Sequence, residues 1–471
     1  MRTRFKITLH RLKNQLSAGR RERRRLLATL RRREAHIARL TAQRDALQRR
    51  LAPTSVPNHH YPAEMIALAV FMVVQAGASL RCAAKTVAYF AGLMGWDYGQ
   101  PRHATVDNWT RRLGLYALDH SERKTGQYVA IIDESIQIGC EKCLLLLGVK
   151  LSEQQAHCAA LTHTEVEVLG VEVQRSWKAD QVADFMTERL AYHADIDLQY
   201  VISDQDTNLL GAFAQRGLAA VADCSHVMMN ALKKLLADHA PLRELTAFMG
   251  TYRRQHLLSQ RSHLCPPTLR DKDRFLRVFV ILDWVDRLGQ YWPALPADHR
   301  QTLAYLERQP VVELLAVLRS LRAIITLASS LLKTSGISAR SQQLWRDRVA
   351  HYRCSQTPPG IMAEELIAVI ERYFQDHQHL LTGRDRLLCC SDIIEATFGY
   401  YKNKGGTQVI SSDVLYLPLL ALPIDLGLVT IGLKRVSQPM VQAWHEEHTC
   451  DNRYSMLRRL RGGAKTVTAP P

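Results

Sequence analysis

A succession of apolar strands between residues 127 and 223 constrains the fold of this chain more than any other feature. β-rich apolar runs and one alternating apolar–polar run predict strands, and a segment with helical periodicity separates the third strand from the fourth. The predicted order is three strands, a helix, a strand, a helix and a final strand. The strands are predicted at 128–132, 142–151, 165–174, 198–203 and 218–222, and the first helix at 179–192.

The pattern changes after this region. Residues 238–385 show no strand pattern, and amphipathic or apolar segments predict helices there at 274–292, 311–333 and 362–377. A helix bearing Glu395 is then predicted at 389–401. We therefore expect an α+β or α/β multidomain chain, which its length of 471 residues also suggests. Its core would come in two parts, 126–237 and 386–436, interrupted by an all-helical insertion at 238–385.

The N-terminal 50 residues are strongly basic. They hold 17 Lys and Arg residues against 3 Asp and Glu residues, and so carry +14 of the net charge of +17. A nearly neutral body with a basic arm indicates a polyanionic partner, and nucleic acid fits best. An acidic membrane surface would also fit the charge alone.

Residues 1–52 are predicted to form a coiled-coil arm, because apolar residues repeat at heptad positions a and d from Leu9 to Leu51. Gly19, Arg23, Arg33 and Arg44 fall on the same seam and weaken it. We expect an arm that dimerises the chain or contacts DNA; the alternative is a solvated basic helix.

Residues 62–118 resemble a helix-turn-helix module. Ser79 is placed to cap a second helix and Thr105 a third. The polar face of that third helix carries Asn108, Arg111 and Arg112, which are residue types that read base edges or hold phosphates. The alternative is a plain helical bundle.

Two features bear on location. The ten cysteines show no spacing typical of a secreted disulfide framework, and the basic N-terminus lacks the apolar run of a secretory signal, so we expect a cytoplasmic protein, nucleoid-associated if bacterial. The apolar segment 414–433 contains Pro418, Pro423 and Asp425, so we expect it to pack against a sheet and expect no membrane partner. Residues 437–471 form a basic tail.

Three acidic residues form the candidate catalytic site. Asp133 and Asp204 follow apolar strands, and neighbouring parallel strands would bring their carboxylates side by side, with Glu395 closing the group from a helix. Three carboxylates make a hard oxygen site for Mg²⁺, and two such ions promote phosphoryl transfer. The competitors are Glu134, which strand alternation should point away, Asp206, which should cap the next helix, and Asp392, one turn before Glu395.

The segments IIDES, VISDQDTNL and SDIIEATFGYYK resemble the three catalytic blocks of Asp-Asp-Glu transposases from insertion sequences, whose cores are RNase H-like. Lys402 follows Glu395 by seven residues, which is similar to the Glu–Lys spacing in several such families, where the Lys contacts DNA. Asp223 and His226 resemble a Cys/Asp-x-x-His motif found after the second Asp in members with helical insertions. The chain departs from the fuller signature at Leu388 and Ser391, where those families have Tyr and Arg.

The resemblance implies a DNA transposase that binds terminal inverted repeats and target DNA as a homo-oligomer, at least a dimer. It implies metal-dependent phosphodiester hydrolysis that frees a 3′-OH, followed by direct strand transfer. The cofactor would be two Mg²⁺ ions, with Mn²⁺ as a substitute. The alternatives are an RNase H-like nuclease or resolvase, and a domesticated DNA-binding regulator that no longer cleaves.

Asp223 and His226 admit two interpretations. A neutral imidazole could orient the scissile phosphate or hydrogen-bond to a metal ligand. Alternatively, Asp223 or Ser225 caps the following helix and His226 is merely packed. We expect an Asn at position 223 to be tolerated in the second case, since Asn caps nearly as well as Asp.

Overall fold

The computed structural model describes residues 2–50, 52–120, 124–138, 141–151, 160–268, 278–355, 360–403 and 409–463. The strands are β1 (Gly126–Ile138), β2 (Glu141–Lys150), β3 (Glu167–Gln174), β4 (Ile196–Ser203) and β5 (Ala220–Ala222). The α-helices are α1 (Arg2–Arg50), α2 (Ala63–Val74), α3 (Leu80–Leu93), α4 (His103–Leu115), α5 (Ala179–Tyr192), α6 (Thr207–Gln215), α7 (Cys224–Leu236), α8 (Ala240–His256), α9 (Val280–Tyr291), α10 (Ala297–Leu303), α11 (Gln309–Ser335), α12 (Ala339–Ser355), α13 (Ile361–His377), α14 (Asp392–Asn403), α15 (Leu426–Arg435), α16 (Gln438–His448) and α17 (Arg453–Gly463).

The five strands form one mixed sheet in the order β3-β2-β1-β4-β5. The pairs β1–β2 and β2–β3 are antiparallel, whereas β1–β4 and β4–β5 are parallel. This confirms the predicted succession of strands and helices between residues 127 and 223. The helices α5 and α6 are the crossovers that parallel pairing of β1, β4 and β5 requires.

The end of β1 differs from the prediction. Asp133 does not end this strand, because β1 continues to Ile138 in antiparallel pairing with β2, with a register shift between Asp133 and Ile136. Parallel pairing with β4, however, stops at the pair Ile131–Ile202. Asp133 and Asp204 each lie two residues beyond that pair, so both lie where the parallel pairing of β1 and β4 stops, at the carboxyl end of these strands.

Both faces of the sheet are covered. Alternate residues such as Ile132 and Val201 pack with α5 and α6, where Phe185 and Phe213 are buried. The opposite alternation, including Ile131, packs into a second core with α7, α11, α13 and α14. The period of two in these strands therefore assigns each apolar side chain to one of two helical layers.

In the described residues between α7 and α14, the regular structure is helical, as predicted for 238–385, apart from one isolated bridge between Ile337 and Leu387. Its helices α11 and α13 contact α7 directly. The buried residues of this segment and of the sheet belong to one continuous core. The helical segment is therefore joined to the sheet through shared packing as well as through the chain.

The N-terminal helices form a separate apolar cluster. Helices α2, α3 and α4 pack together with α15 around buried residues such as Val70, Trp109 and Leu433. Ser79 caps α3 by accepting the backbone N–H of Cys82, as predicted. The predicted cap at Thr105 is wrong, because α4 begins two residues earlier at His103, without a side-chain cap.

Two predicted segments at the chain's ends also take definite forms. The apolar stretch 414–433 folds into a 3₁₀ helix (Ser412–Ala421) followed by α15, and the 3₁₀ helix packs against β3 and α4, as expected. None of the helices in the described ranges combines the length and apolarity that a membrane span requires. In α1, the heptad residues Leu26, Leu30, Ile37 and Leu40 are exposed, so none of the residues that the structure describes covers this part of the seam.

Candidate active site

Asp133 is the most deeply buried of the three predicted catalytic carboxylates, with 6% of its surface exposed. Burial raises the pKa of Asp133 to about 7, and the negative charges of Asp204 and Glu395 add to that rise, whereas nearby His226 opposes it. Asp204 and Glu395 are thus near enough to Asp133 for their charges to act on it. The structure therefore brings the three predicted residues into one electrostatic group.

Asp204 follows the last residue of β4. Its Oδ1 accepts the backbone N–H of Asp206 at 3.2 Å, and burial raises its pKa. Asp206 itself caps α6 by accepting the N–H of Asn208, which confirms the role predicted for this competitor. Of these two acids, Asp204 therefore remains the candidate for the site.

Glu395 lies on α14, whose apolar residues Ile394, Phe398 and Tyr401 are buried in the core. The carboxyl of Glu395 is solvent-exposed, yet partial loss of hydration raises its pKa. At the other end of α14, the hydroxyl of Tyr400 donates to the carbonyl of Val73 and accepts the backbone N–H of Gly77. Helix α14, which carries Glu395, is thus anchored both to the core and to the α2–α3 turn.

Asp223 connects two parts of the site. Its Oδ2 accepts the backbone N–H of His226 at 2.8 Å and so caps α7, while its Oδ1 accepts the backbone N–H of Ser391 at 2.7 Å. In addition, the Cys224 N–H donates to the carbonyl of Cys389 at 2.8 Å. The predicted cap is confirmed, but the same carboxylate also fixes the segment that leads into α14.

The expectation of a neutral His226 is wrong. Its Nδ1 lies 3.2 Å from Asp223 Oδ2, and this contact, together with the charges of Asp223, Asp204 and Asp133, raises the pKa of His226 to about 9. The imidazole is therefore a cation at neutral pH in this arrangement. It supplies positive charge among the acidic side chains.

Glu134 and Asp392 are both engaged elsewhere. Glu134 forms an ion pair with Lys142 at 3.1 Å, although its pKa is raised by burial and also by the charges of Asp206 and Asp204, so it lies nearer the site than strand alternation suggested. Asp392 accepts the hydroxyl of Ser225 and pairs with Lys333 of α11. Sequence reasoning missed Lys333, because nothing local links it to a residue 59 positions later.

The three carboxylates are too widely spaced for all of them to surround one metal ion closely. Among the described residues, the side chains whose potential ligand atoms all lie within 4.8 Å of one another are Asp223, Cys224 and Cys390, not Asp133, Asp204 and Glu395. A wider set is compatible with two ions, which lie about 3.5–4 Å apart in two-metal sites. The donors are hard carboxylate oxygens whose mutual repulsion a divalent cation would relieve, so they fit Mg²⁺.

The predicted DNA-binding residues of α4 have partners inside the chain. Arg111 pairs with Asp107 at 2.8 Å and donates to Ser412. Arg112 donates to the carbonyls of Leu433 and Val436 and contacts His59. Asn108 is half-buried, as are Asp107, Arg111 and Arg112. A role for these three residues in reading DNA stays a prediction, and the two arginines also hold the C-terminal segment in place.

The other predicted positions are spread out. Lys402 is exposed in the last turn of α14, seven residues from Glu395. The Cys-x-x-Cys spacing of Cys140 and Cys143 lacks the second ligand pair that a structural zinc site needs; Cys140 lies outside the described residues, and Cys143 is buried in β2. His445 and His448 are three residues apart and so do not form the HExxH zinc motif; His445 bonds to Thr449, and His448 lies 3.8 Å from Glu172.

Comparisons with known proteins add no assignment to this geometry. A scan against protein-family models finds no match, and no curated protein matches the sequence.

Proposed function

We propose that this chain is a DNA transposase of the Asp-Asp-Glu type with an RNase H-like core. One observation carries the proposal: Asp133, Asp204 and Glu395 come from β1, the end of β4 and α14, and form one electrostatic group at one sheet edge. Carboxylates that repel one another without function would be disfavoured at a half-buried site. Their convergence is explained if they hold cations for phosphoryl transfer.

The surrounding fold supports this proposal. The strand order β3-β2-β1-β4-β5, with two antiparallel and two parallel pairs, is the arrangement expected for an RNase H-like core. The helical segment between α7 and α14 occupies the place of the proposed insertion between the second Asp and the Glu. Fold alone does not imply function, so the proposal depends on the carboxylates and not on the sheet.

In this proposal Asp133, Asp204 and Glu395 hold two Mg²⁺ ions, or Mn²⁺ in their place. When bound, these ions would supply activation of an attacking oxygen and stabilisation of a leaving oxygen. The overall reaction is hydrolysis of a phosphodiester at an element end, which frees a 3′-OH, and then exchange of that end into target DNA without net loss of phosphodiester bonds.

The chain's own residues have separate tasks. Asp223 positions Ser391 and therefore the start of α14, which carries Glu395. The His226 cation would balance the acidic group and would contact a DNA phosphate. Lys402 and the basic helix α1 would bind the DNA backbone, and the exposed seam of α1 would join a second copy of the chain in a homo-oligomer.

A nicking assay tests the proposal. The full chain is incubated with a supercoiled plasmid that carries the DNA flanking its gene, with Mg²⁺, with Mn²⁺ or with a chelator. We expect metal-dependent nicking at the element ends, lost in Asp133→Asn and Glu395→Gln, whereas end binding persists in both variants. Glu447→Gln is the matched control, since that exposed carboxylate lies on α16 away from the site.

The other outcomes contradict the proposal in distinguishable ways. Nicking that ignores the flanking ends would indicate a nuclease or resolvase. End binding without cleavage under either metal would indicate a regulator. Full activity in either catalytic variant would remove that residue from the site.

A further inference from the structure

Asp223, Cys224 and Cys390 form a compact group beside the carboxylate site. One carboxylate oxygen and the two sulfur atoms all lie within 4.8 Å of one another. Asp223 and Cys224 are buried and Cys390 is half-buried. The three donors come from two chain segments that are far apart in sequence, so the fold itself assembles the group.

The backbone holds these donors in place from both sides. Cys224 donates its N–H to the carbonyl of Cys389, and Ser391 donates its N–H to the side-chain Oδ1 of Asp223, so one backbone bond and one side-chain bond join residues 223–224 to residues 389–391. Cys224 is the first residue of α7, and hydrogen bonding among the thiols, together with burial, raises the pKa of both Cys224 and Cys390, so both thiols are protonated before an ion binds. The arrangement needs little reorganisation before it can bind a ligand.

The donor chemistry selects a soft cation. Two thiolates and a carboxylate suit Zn²⁺ much better than Mg²⁺. With Zn–S bonds of about 2.3 Å in a tetrahedron, two bound sulfurs stand about 3.8 Å apart. A small contraction of the present group would reach that spacing.

Space and charge around the group are also suitable. A cavity of about 30 Å³, large enough for a water molecule, is lined by Lys333, Cys389, Cys390 and Asp392; of the three donors, Cys390 borders it. Lys333 pairs with Asp392 and borders the same cavity as Cys390, so a cation already stands near the thiols. Lys333 would balance the net negative charge of a complex with two thiolates and one carboxylate.

We propose that Asp223, Cys224 and Cys390 bind one Zn²⁺ ion, at a site separate from the proposed Mg²⁺ site. Binding would release one proton from each thiol, and the fourth position would be filled by water. The bound ion would join the N-terminus of α7 to the segment that leads into α14. It would therefore stabilise the junction between β5 and the helix that carries Glu395.

Metal binding to the full chain tests this proposal. The reduced, metal-free protein is titrated with Zn²⁺ and, separately, with Cd²⁺, whose thiolate complexes absorb in the ultraviolet. We expect one tight equivalent, proton release on binding, a Cd²⁺–thiolate band and a higher unfolding temperature with Zn²⁺. Cys224→Ala and Cys390→Ala should each weaken binding at least tenfold, whereas Cys389→Ala should retain it, because Cys389 lies outside the group of three.

Two results would overturn the site. One is wild-type protein that gives no Cd²⁺–thiolate band, which is decisive even if a variant fails to fold. The other is binding that survives in both Cys224→Ala and Cys390→Ala, or that is lost in Cys389→Ala. The buried thiols would then be small apolar residues of the core. Since the measurement is metal binding and not DNA cleavage, it succeeds or fails independently of the transposase proposal.

Discussion

Replacing Asp223 with Asn should destabilise the protein far more than replacement of an ordinary helix cap. The two oxygens of Asp223 accept different backbone N–H groups, from His226 and from Ser391, and the side chain is 1% exposed. An Asn has one acceptor oxygen, so its amide nitrogen must face one of these donors. The variant leaves a buried N–H without an acceptor, and this costs about 1–3 kcal/mol.

A second loss adds to the first. Asn removes the negative charge that lies 3.2 Å from the His226 imidazole, and this contact contributes about 1 kcal/mol at a mostly buried position. We therefore expect Asp223→Asn to lower the free energy of unfolding by about 2–4 kcal/mol. The initial expectation that Asn would be tolerated here considered the cap alone.

Asp206→Asn is the matched control. Asp206 caps α6 through the N–H of Asn208, and Asn serves this role nearly as well, so the control should cost about 0.3 kcal/mol or less. The assay is equilibrium unfolding in urea at neutral pH, read as the shift of the midpoint at constant slope. If the two variants differ by less than about 0.5 kcal/mol, the second hydrogen bond of Asp223 has no energetic weight and the reasoning fails.

Three further predictions concern His226, Arg112 and helix α1. The pKa of His226 is raised to about 9, above its unfolded value, so its contribution to stability is complete below about pH 6.5 and disappears as the pH rises through 9. Urea midpoints of metal-free protein should therefore fall over that pH window, with a smaller fall in Asp223→Asn. An equal fall of the midpoint with pH in the two proteins would contradict this. Arg112→Ala should cost about 2–4 kcal/mol because the carbonyls of Leu433 and Val436 lose a charged donor, whereas exposed Arg102→Ala should cost almost nothing; similar unfolding curves for the two would refute the structural role. Deletion of residues 1–52 removes +14 of charge, so the slope of DNA affinity against salt concentration should flatten, and an unchanged slope would show that α1 does not contact DNA.

The sheet could be predicted because its information is local. Alternation and β-branched runs in residues such as Val129 and Ile131 repeat with the period of a strand, and each face of the sheet is buried. The extent of β1 could not be predicted in the same way. Its continuation beyond Asp133 depends on β2 pairing with it, which is a contact between segments.

The acidic residues of the candidate site could be predicted from the sequence, whereas the charge state of its histidine could not. Strand ends and the resemblance identified Asp133, Asp204 and Glu395, but the charge on His226 depends on Asp223 and Asp204 meeting it in space. Similarly, periodicity identified the apolar face of α4 but not that α15 and the 3₁₀ helix before it would cover its polar face. Arg112 is of a residue type common in DNA-binding surfaces, but its guanidinium bonds to backbone carbonyls of this chain.

The hydroxyl of Tyr400 gives the protein a mechanical connection between its N-terminal helices and its chemistry. It bonds to both Val73 and Gly77 at the end of α2, and Tyr400 stands five residues after Glu395 on the same helix. Glu395 and Tyr400 share one helix, so these two hydrogen bonds link the position of the α2–α3 turn to that of Glu395. A shift of α2 or α3 would therefore be transmitted to Glu395 through the two hydrogen bonds of the Tyr400 hydroxyl.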